Sequence, residues 1–341
     1  MLEVEPFTVL LDEPLSTARG SIRERRGFLV RVEYKDTVGL GEATPLPGWT
    51  ETYEECRDAL ERANTVASEL DWGITLAKVD APAARHGLSL ALADARSKRD
   101  GEPLYRSLGG DYVEGVPVNA TIGADANPES TAIRAAEAVE RGFRCLKIKV
   151  GTNGVEEDIE RVRAVRNAVP EDIELRVDVN GAWTVREARD ALEALAALDV
   201  SYAEQPLPAG NLSGHAQLRG GSVDIALDES LAVHDVATIL DAEAADVLVL
   251  KPMVVGGIDR AREAVIVARE TGVEPVISTT IDAVVARTGA IHLAASIPDV
   301  RPCGLATAEL LATDLAPDPA PIRDGVAAVP QEYGIGTSQL T

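Results

Sequence analysis

Lysine is scarce in this 341-residue chain, and positive charge is scarce with it. Acidic residues outnumber basic ones 56 to 33, and the formal net charge is −23. The lysines are Lys35, Lys78, Lys98, Lys147, Lys149 and Lys251; arginine supplies the other basic side chains. Nucleic-acid phosphates and anionic membrane surfaces both need a basic patch, so the charge balance excludes them as main partners. Cysteine is rarer still. Cys56, Cys145 and Cys303 make neither a metal-ligand spacing nor an even disulfide framework, which predicts reduced thiols in a cytoplasmic protein. No apolar run reaches the roughly 18 residues of a membrane span. The initial Met-Leu-Glu-Val-Glu lacks the basic start and apolar stretch of a secretory signal. No glycine fingerprint for a dinucleotide or nucleoside triphosphate follows the first apolar runs.

What is present describes a folded chain. Apolar residues at 45% and charged residues at 26% exclude a disordered or membrane-embedded protein. The length allows two ordinary domains, or one large barrel with a companion. An acidic surface that avoids lysine suits high salt, where hydrated carboxylates keep a protein soluble. The expected outcome is a thermal midpoint that rises steeply with KCl; full stability at low salt would contradict salt adaptation.

The first 110 residues read as mixed α and β. Strands are expected over Val4 to Leu10 and Gly27 to Tyr34, and helices over Thr52 to Leu70 and Pro82 to Lys98. From about Gly115 the rhythm changes. Short apolar runs recur at Val116–Ile122, Cys145–Val150, Glu174–Val179, Val200–Glu204, Asp224–Asp228, Asp246–Leu250, Pro275–Ser278 and, weakly, Val300–Cys303. Between them lie stretches of helical spacing, such as Ile159, Val162, Val165 and Val169. Units of roughly 22 to 30 residues suit one strand and one helix each, and eight of them fit a parallel β/α barrel better than a doubly wound sheet.

Reacting groups in such a barrel stand at the carboxyl ends of its strands. The second run ends Lys147-Ile-Lys149, the third Asp178-Val-Asn180, the fourth Glu204-Gln-Pro206, the fifth Asp228-Glu-Ser230 and the sixth Lys251-Pro252. One such acid alone would read as a cap for the next helix. Three on consecutive strands, expected at one height, would repel one another unless a cation sits among them. Oxygen-only ligands favour a hard metal such as Mg²⁺, with octahedral positions left for water or substrate. Lys147 and Lys149 point the same way from one strand, and Lys251 faces them from four strands away. Such a ring suits removal of a proton next to a carboxylate, because charge develops on the enediolate where cations stand. A lysine beside another lysine and a metal has a lowered pKa and can serve as the base.

With these elements in this order, the sequence resembles the enolase superfamily, muconate-lactonizing-enzyme subgroup. The matching stretches are Lys147-x-Lys149, Asp178-x-Asn180-Gly-Ala-Trp183, Glu204-Gln-Pro206, Asp228-Glu-Ser230 and Lys251-Pro252. The resemblance implies a modified (β/α)7β barrel over 114–308. It also implies an α+β capping domain over 1–113, to which the tail 309–341 returns. It implies Asp178, Glu204 and Asp228 as ligands of Mg²⁺, or of Mn²⁺ in its place, with Asn180, Glu229 and Arg176 supporting them. Within the subgroup, three stretches are most similar to the o-succinylbenzoate synthases: 17–25, the segment from Gly41-Glu42 to Glu51-Thr52, and Cys303-Gly-Leu-Ala-Thr307.

That likeness implies a syn-elimination of water, with Lys149 as base, Lys251 stabilising the anion from the other face and Lys147 tuning Lys149. Substrate contacts are expected from Arg19, Arg25, Trp49, Ser278, Thr279 and Gly304. The partner is a small carboxylate, with homo-oligomerisation left open. Muconate cycloisomerase, N-acylamino acid racemase and dipeptide epimerase share the set and stay open, as does a binding protein on the same barrel. Arg301-Pro-Cys-Gly304 stands where an Ala-Glu-type epimerase would carry Asp-x-Asp.

Overall fold

The structure is a computed structural model that describes residues 1–17, 20–124 and 127–337. It opens with an antiparallel sheet in the order β1 (Leu2–Thr17), β2 (Gly20–Tyr34) and β3 (Thr37–Ala43). Lys35 and Asp36, both at positive φ, make the tight hairpin turn between β2 and β3. Four helices follow: α1 (Tyr53–Glu69), α2 (Trp72–Ala77), α3 (Pro82–Asp100) and α4 (Leu104–Ser107). Thr52 and Glu55 form a capping box at the start of α1, and Gly101 ends α3 in the left-handed conformation. The helix α3 lies directly on β3, because a side chain at Gly41 would put its Cβ 1.9 Å from the Gly87 carbonyl oxygen. Phe28, Val30, Val32, Leu60 and Leu88 fill the space between sheet and helices.

The barrel begins after β4 (Gly115–Pro117). Its strands are β5 (Ala120–Ile122), β6 (Cys145–Lys149), β7 (Glu174–Asp178), β8 (Val200–Glu204), β9 (Asp224–Leu227), β10 (Val247–Leu250) and β11 (Glu274–Ile277), all parallel and paired in sequence order. The helices α5 (Pro128–Glu140), α6 (Val155–Ala168), α7 (Val185–Ala196), α8 (Leu212–Leu218), α9 (Val236–Asp241), α10 (Pro252–Val255), α11 (Ile258–Glu270) and α12 (Val284–Ala295) come between and after them. Among the described residues the circle closes through two bridges: Cys303 bridges Val118 and Gly304 bridges Ser278. The run 116–122 is therefore not one strand. Pro117 has no N–H to donate, and the chain changes sheets there: β4 pairs with β13 (Val326–Ala328), itself paired with β12 (Ile322–Arg323), while β5 joins the barrel. The tail also touches the first sheet, since the Ala312 N–H donates to the Leu10 carbonyl, and α3, since the Ile335 N–H donates to Asp94.

The first sheet is bolted to the barrel by Glu42. This buried carboxylate accepts the N–H groups of Ala283 and Ala286, each at 2.8 Å, at the start of α12, whose own cap residue is an alanine. One side chain thus satisfies two of the orphan donors of a helix far away in sequence. Glu51 does the same for Ala83 and Ala84 of α3 at 3.0 and 2.9 Å. No helix among the described residues is long and apolar enough to cross a membrane, and the three cysteines are free and buried.

Two buried histidines set an acid limit. His215 accepts the Leu207 N–H and His292 the Tyr105 N–H, and burial lowers both rings from 6.5 to about 4. A group whose folded pKa is depressed contributes stability that is complete above its unfolded value and disappears as pH falls through its folded one. The contribution of these two rings to stability should therefore be lost between pH 6.5 and 4, the window set by those values, against an opposite contribution from buried carboxyls such as Glu42, raised to about 7. A pH series of melts checks this, and His292→Gln should flatten the decline.

Candidate active site

Strand register places the polar residues. Lys149, Asp178 and Glu204 are lateral partners on β6, β7 and β8, so their side chains leave the barrel wall at one level. Asp228 does not share it. The partner of Glu204 is Ala226, and Asp228 stands one inward-facing position further along. Barrel shear raises successive strands against one another, so equal spacing along the chain is not equal height. Lys251 follows the end of β10.

The side chains form a linked charge array. Lys149 Nζ donates to Asp178 Oδ2 at 2.6 Å and to Asn180 Oδ1 at 2.9 Å. Lys147 Nζ donates to both Glu204 oxygens at 3.0 and 3.1 Å and lies 3.3 Å from Asp178. Lys251 Nζ donates to Asp228 Oδ2 at 2.6 Å and stands 3.6 Å from the centre of the Trp49 ring. Asn180 also donates to Glu229 Oε1 at 2.8 Å. The side chain of Lys149 is 32% exposed against 12% for Lys147, which makes Lys149 the amine that opens onto the mouth.

Four carboxylates (Asp178, Glu204, Asp228 and Glu229) face three lysines, so negative charge is in excess. Burial, then the Asp178 charge, push Glu204 up to about 7. Burial also raises Asp228, where Lys251 opposes the shift and Glu229 adds to it. Burial would raise Asp178 too, but Lys149 and Lys147 outweigh it and hold that carboxyl below its usual range. The same carboxylates keep Lys147 firmly an ammonium in spite of its burial.

These residues fit a hard cation. Asp228 Oδ1 and Glu229 Oε2 are buried acceptors without a donor, and oxygen-only donors suit such an ion. Among the described residues no three His, Cys, Asp or Glu side chains converge as a finished metal cage. Each of the three expected ligands is instead turned onto a lysine ammonium, the nearest positive charge.

The expected substrate contacts divide. Trp49 is at the site, lying over Lys251. Ser278 and Gly304 meet at the closing strand, where the Ser278 hydroxyl donates to the Gly304 carbonyl at 3.1 Å; a Cβ at 304 would stand 2.7 Å from that hydroxyl. The Thr279 hydroxyl pairs with that of Thr307 at 3.2 Å, as expected for the alternate side of the strand end. Arg19 lies outside the described residues. Arg25 departs from the expected substrate contact. It is buried, and its donors go to the carbonyls of Thr44, Pro45 and Ile281. Arg176 is also reassigned. It faces inward one position below Asp178 and binds Glu174, the Tyr202 hydroxyl and the Pro302 carbonyl, not the carboxylate array.

Gln205 is the organiser that residue-type reasoning passed over. At a φ of 44°, it accepts the N–H groups of Asp228 and Ser230 at Oε1 and donates to the Leu207 carbonyl and the Ser230 hydroxyl. It thereby fixes where Asp228 begins its turn. Its signal was the Glu-Gln-Pro motif itself. Thr121, an exposed partner of Lys147 on β5, also shares the inward side.

Residues 130–339 match the family model described as "Enolase C-terminal domain-like". The chain belongs to the enolase superfamily. Residues 4–95 match the model "MenC, N-terminal domain". A hydrophobic dipeptide epimerase of Enterococcus faecalis is 33% identical over 340 residues, 96% of this chain and 93% of that one. An o-succinylbenzoate synthase of Thermobifida fusca is 38% identical over 208 residues, 60% of this chain and 63% of that one. Among solved structures, the dipeptide epimerase of Enterococcus faecalis complexed with Mg and L-Leu-L-Tyr superposes at a TM-score of 0.88 with 30% identity, covering 98% of both chains. The L-Ala-D/L-Glu epimerase of Bacillus subtilis superposes at 0.89 with 27% identity, covering 98% of this chain and 97% of the other. This superfamily member carries the same barrel and capping arrangement as those enzymes.

Proposed function

We propose that this chain is an o-succinylbenzoate synthase, removing water from a succinyl-bearing hydroxycyclohexadiene carboxylate. The observation that carries the reading is Gly304 at the closing strand. Glycine there lets the Ser278 hydroxyl pack against the strand, since a Cβ would stand 2.7 Å from it, and no carboxylate stands in Arg301-Pro-Cys-Gly304 to meet the ammonium of a dipeptide. The match of the capping region to the "MenC, N-terminal domain" supports it. A second reading is racemisation or epimerisation of an acylated amino acid or dipeptide. It is favoured by the near full-length similarity to the Enterococcus epimerase and by lysines on two faces of the mouth.

In either reaction Lys149, as the free amine, takes the proton from the carbon next to the substrate carboxylate. In the dehydration it returns that proton to the departing hydroxyl on the same face, so hydroxide leaves as water and the new double bond completes the aromatic ring. Lys251 stays an ammonium, fixed between Asp228 and the Trp49 face, and places positive charge opposite the forming enediolate. Lys147 stays charged on the same strand, held there by Glu204 and Asp178. Asp178, Glu204 and Asp228 would hold Mg²⁺. Bound there, it would add counter-charge to these acids and make the substrate's α-proton more acidic.

The test offers the purified chain, with Mg²⁺ in molar KCl, the succinyl cyclohexadiene substrate beside N-succinylamino acids, dipeptides and muconate. The expected result is fastest turnover of the first. Turnover of dipeptides or muconate alone would overturn the assignment.

A further inference from the structure

The buried polar residues between sheet and barrel hold a group that the chemistry above does not use. Arg25, on β2, is 3% exposed, yet its donors go mostly to main-chain oxygens. Its Nη2 donates to the Thr44 carbonyl at 2.8 Å, its Nη1 to the Pro45 carbonyl at 3.2 Å and its Nε to the Ile281 carbonyl at 3.3 Å. The carboxylates of Glu42 and Asp282 act on it electrostatically from both sides of the seam. The three carbonyls belong to two segments that both lead to the mouth.

The first segment carries Trp49. From Leu46 to Thr50 it is a closed turn: the Trp49 and Thr50 N–H groups donate to the Leu46 carbonyl, and the Leu46 N–H donates to the Thr50 hydroxyl. A closed turn moves as a unit, so the point where it joins the sheet, Thr44-Pro45, sets where its tip lies. That tip is the indole over Lys251. The second segment follows β11 and runs from Ser278 to Ala283. Within it Ile281 has a φ of 61°, a left-handed conformation that a β-branched residue adopts only when its surroundings hold it there. It lines an open cleft of about 220 Å³ with residues of β1, from Leu11 to Leu15, and with Glu309 and Leu310.

We infer that Arg25 is a positioning residue: one buried guanidinium fixes both the turn that lays Trp49 on Lys251 and the strained turn at Ile281 beyond the seventh strand. It touches neither substrate nor the carboxylate array. It acts by making the two segments on either side of the mouth keep a common geometry. This rests on placing Lys251 in the site, not on which carboxylate the protein uses.

Two measurements on the full chain test it. In hydrogen exchange, which needs no substrate, Arg25→Met should speed exchange in the segments 44–50 and 278–283 together while the barrel strands keep their protection. Faster exchange in only one of the two segments, or uniformly through the chain, would overturn the inference. In kinetics on whichever substrate the wild type turns over, Arg25→Met should lower kcat/KM at least tenfold. Glycine adopts the left-handed conformation without strain, so in an Ile281→Gly background the same change should cost at least threefold less. An equal loss in both backgrounds, or a lowered Tm with kcat and KM unchanged, shows a purely structural role and contradicts it. Should Arg25→Met fail to fold, Arg25→Lys, which keeps the charge but not the fork, is read by the same criteria.

Discussion

Replacing Lys149 with alanine should lower turnover by at least ~10²-fold while substrate affinity stays within a few-fold of wild type, because a general base acts only in the transition state. The geometry points to this lysine and not its neighbour. Lys147 has both Glu204 oxygens and Asp178 on its ammonium, whereas Lys149 has one carboxylate and an amide oxygen and is the more exposed of the two. Steady-state kinetics with a direct binding measurement checks the prediction. A Lys149→Ala protein that keeps wild-type kcat would remove the base from the account.

Chelating divalent metal should stop turnover, and Mg²⁺ should restore it. The expected loss is again at least ~10²-fold, since a bound cation supplies several kcal/mol of charge stabilisation and each 1.36 kcal/mol is a factor of ten. A second readout needs no substrate. A ligand that binds only the folded state raises the melting temperature. Mg²⁺ should therefore raise the Tm of the wild type and lose that effect in Asp228→Asn, which removes the charge from the carboxylate whose Oδ1 has no donor. Full activity after exhaustive chelation would contradict the assignment of Asp178, Glu204 and Asp228.

Most of the barrel could be read from the chain because its strands are buried on both faces. Runs such as Val247–Leu250 therefore stay apolar until the wall ends, and the first acid or lysine after them, here Lys251, marks the mouth. The readings that changed depend on geometry that periodicity does not carry. Asp228 stands one inward position above the level of Glu204 because shear is a property of the closed sheet, not of any strand. Arg176 alternates with Asp178 like a site residue, but one inward step down places it among Glu174, Tyr202 and Pro302. Arg25 was expected at the substrate because the carbonyls that bury it lie about 20 and about 256 residues away. Glu42 was legible as part of a motif, but its work as the cap of α12 required the two elements to meet.

The claim at the centre is that Lys149 removes the proton next to a carboxylate held in this mouth. The direct measurement is proton NMR in D2O of the accepted substrate with Mg²⁺, following the α-proton signal with wild type and with Lys149→Ala. Loss of the α-proton is expected at the rate of turnover with wild type and not on that timescale with the variant. Loss of the α-proton at the wild-type rate in Lys149→Ala would contradict it.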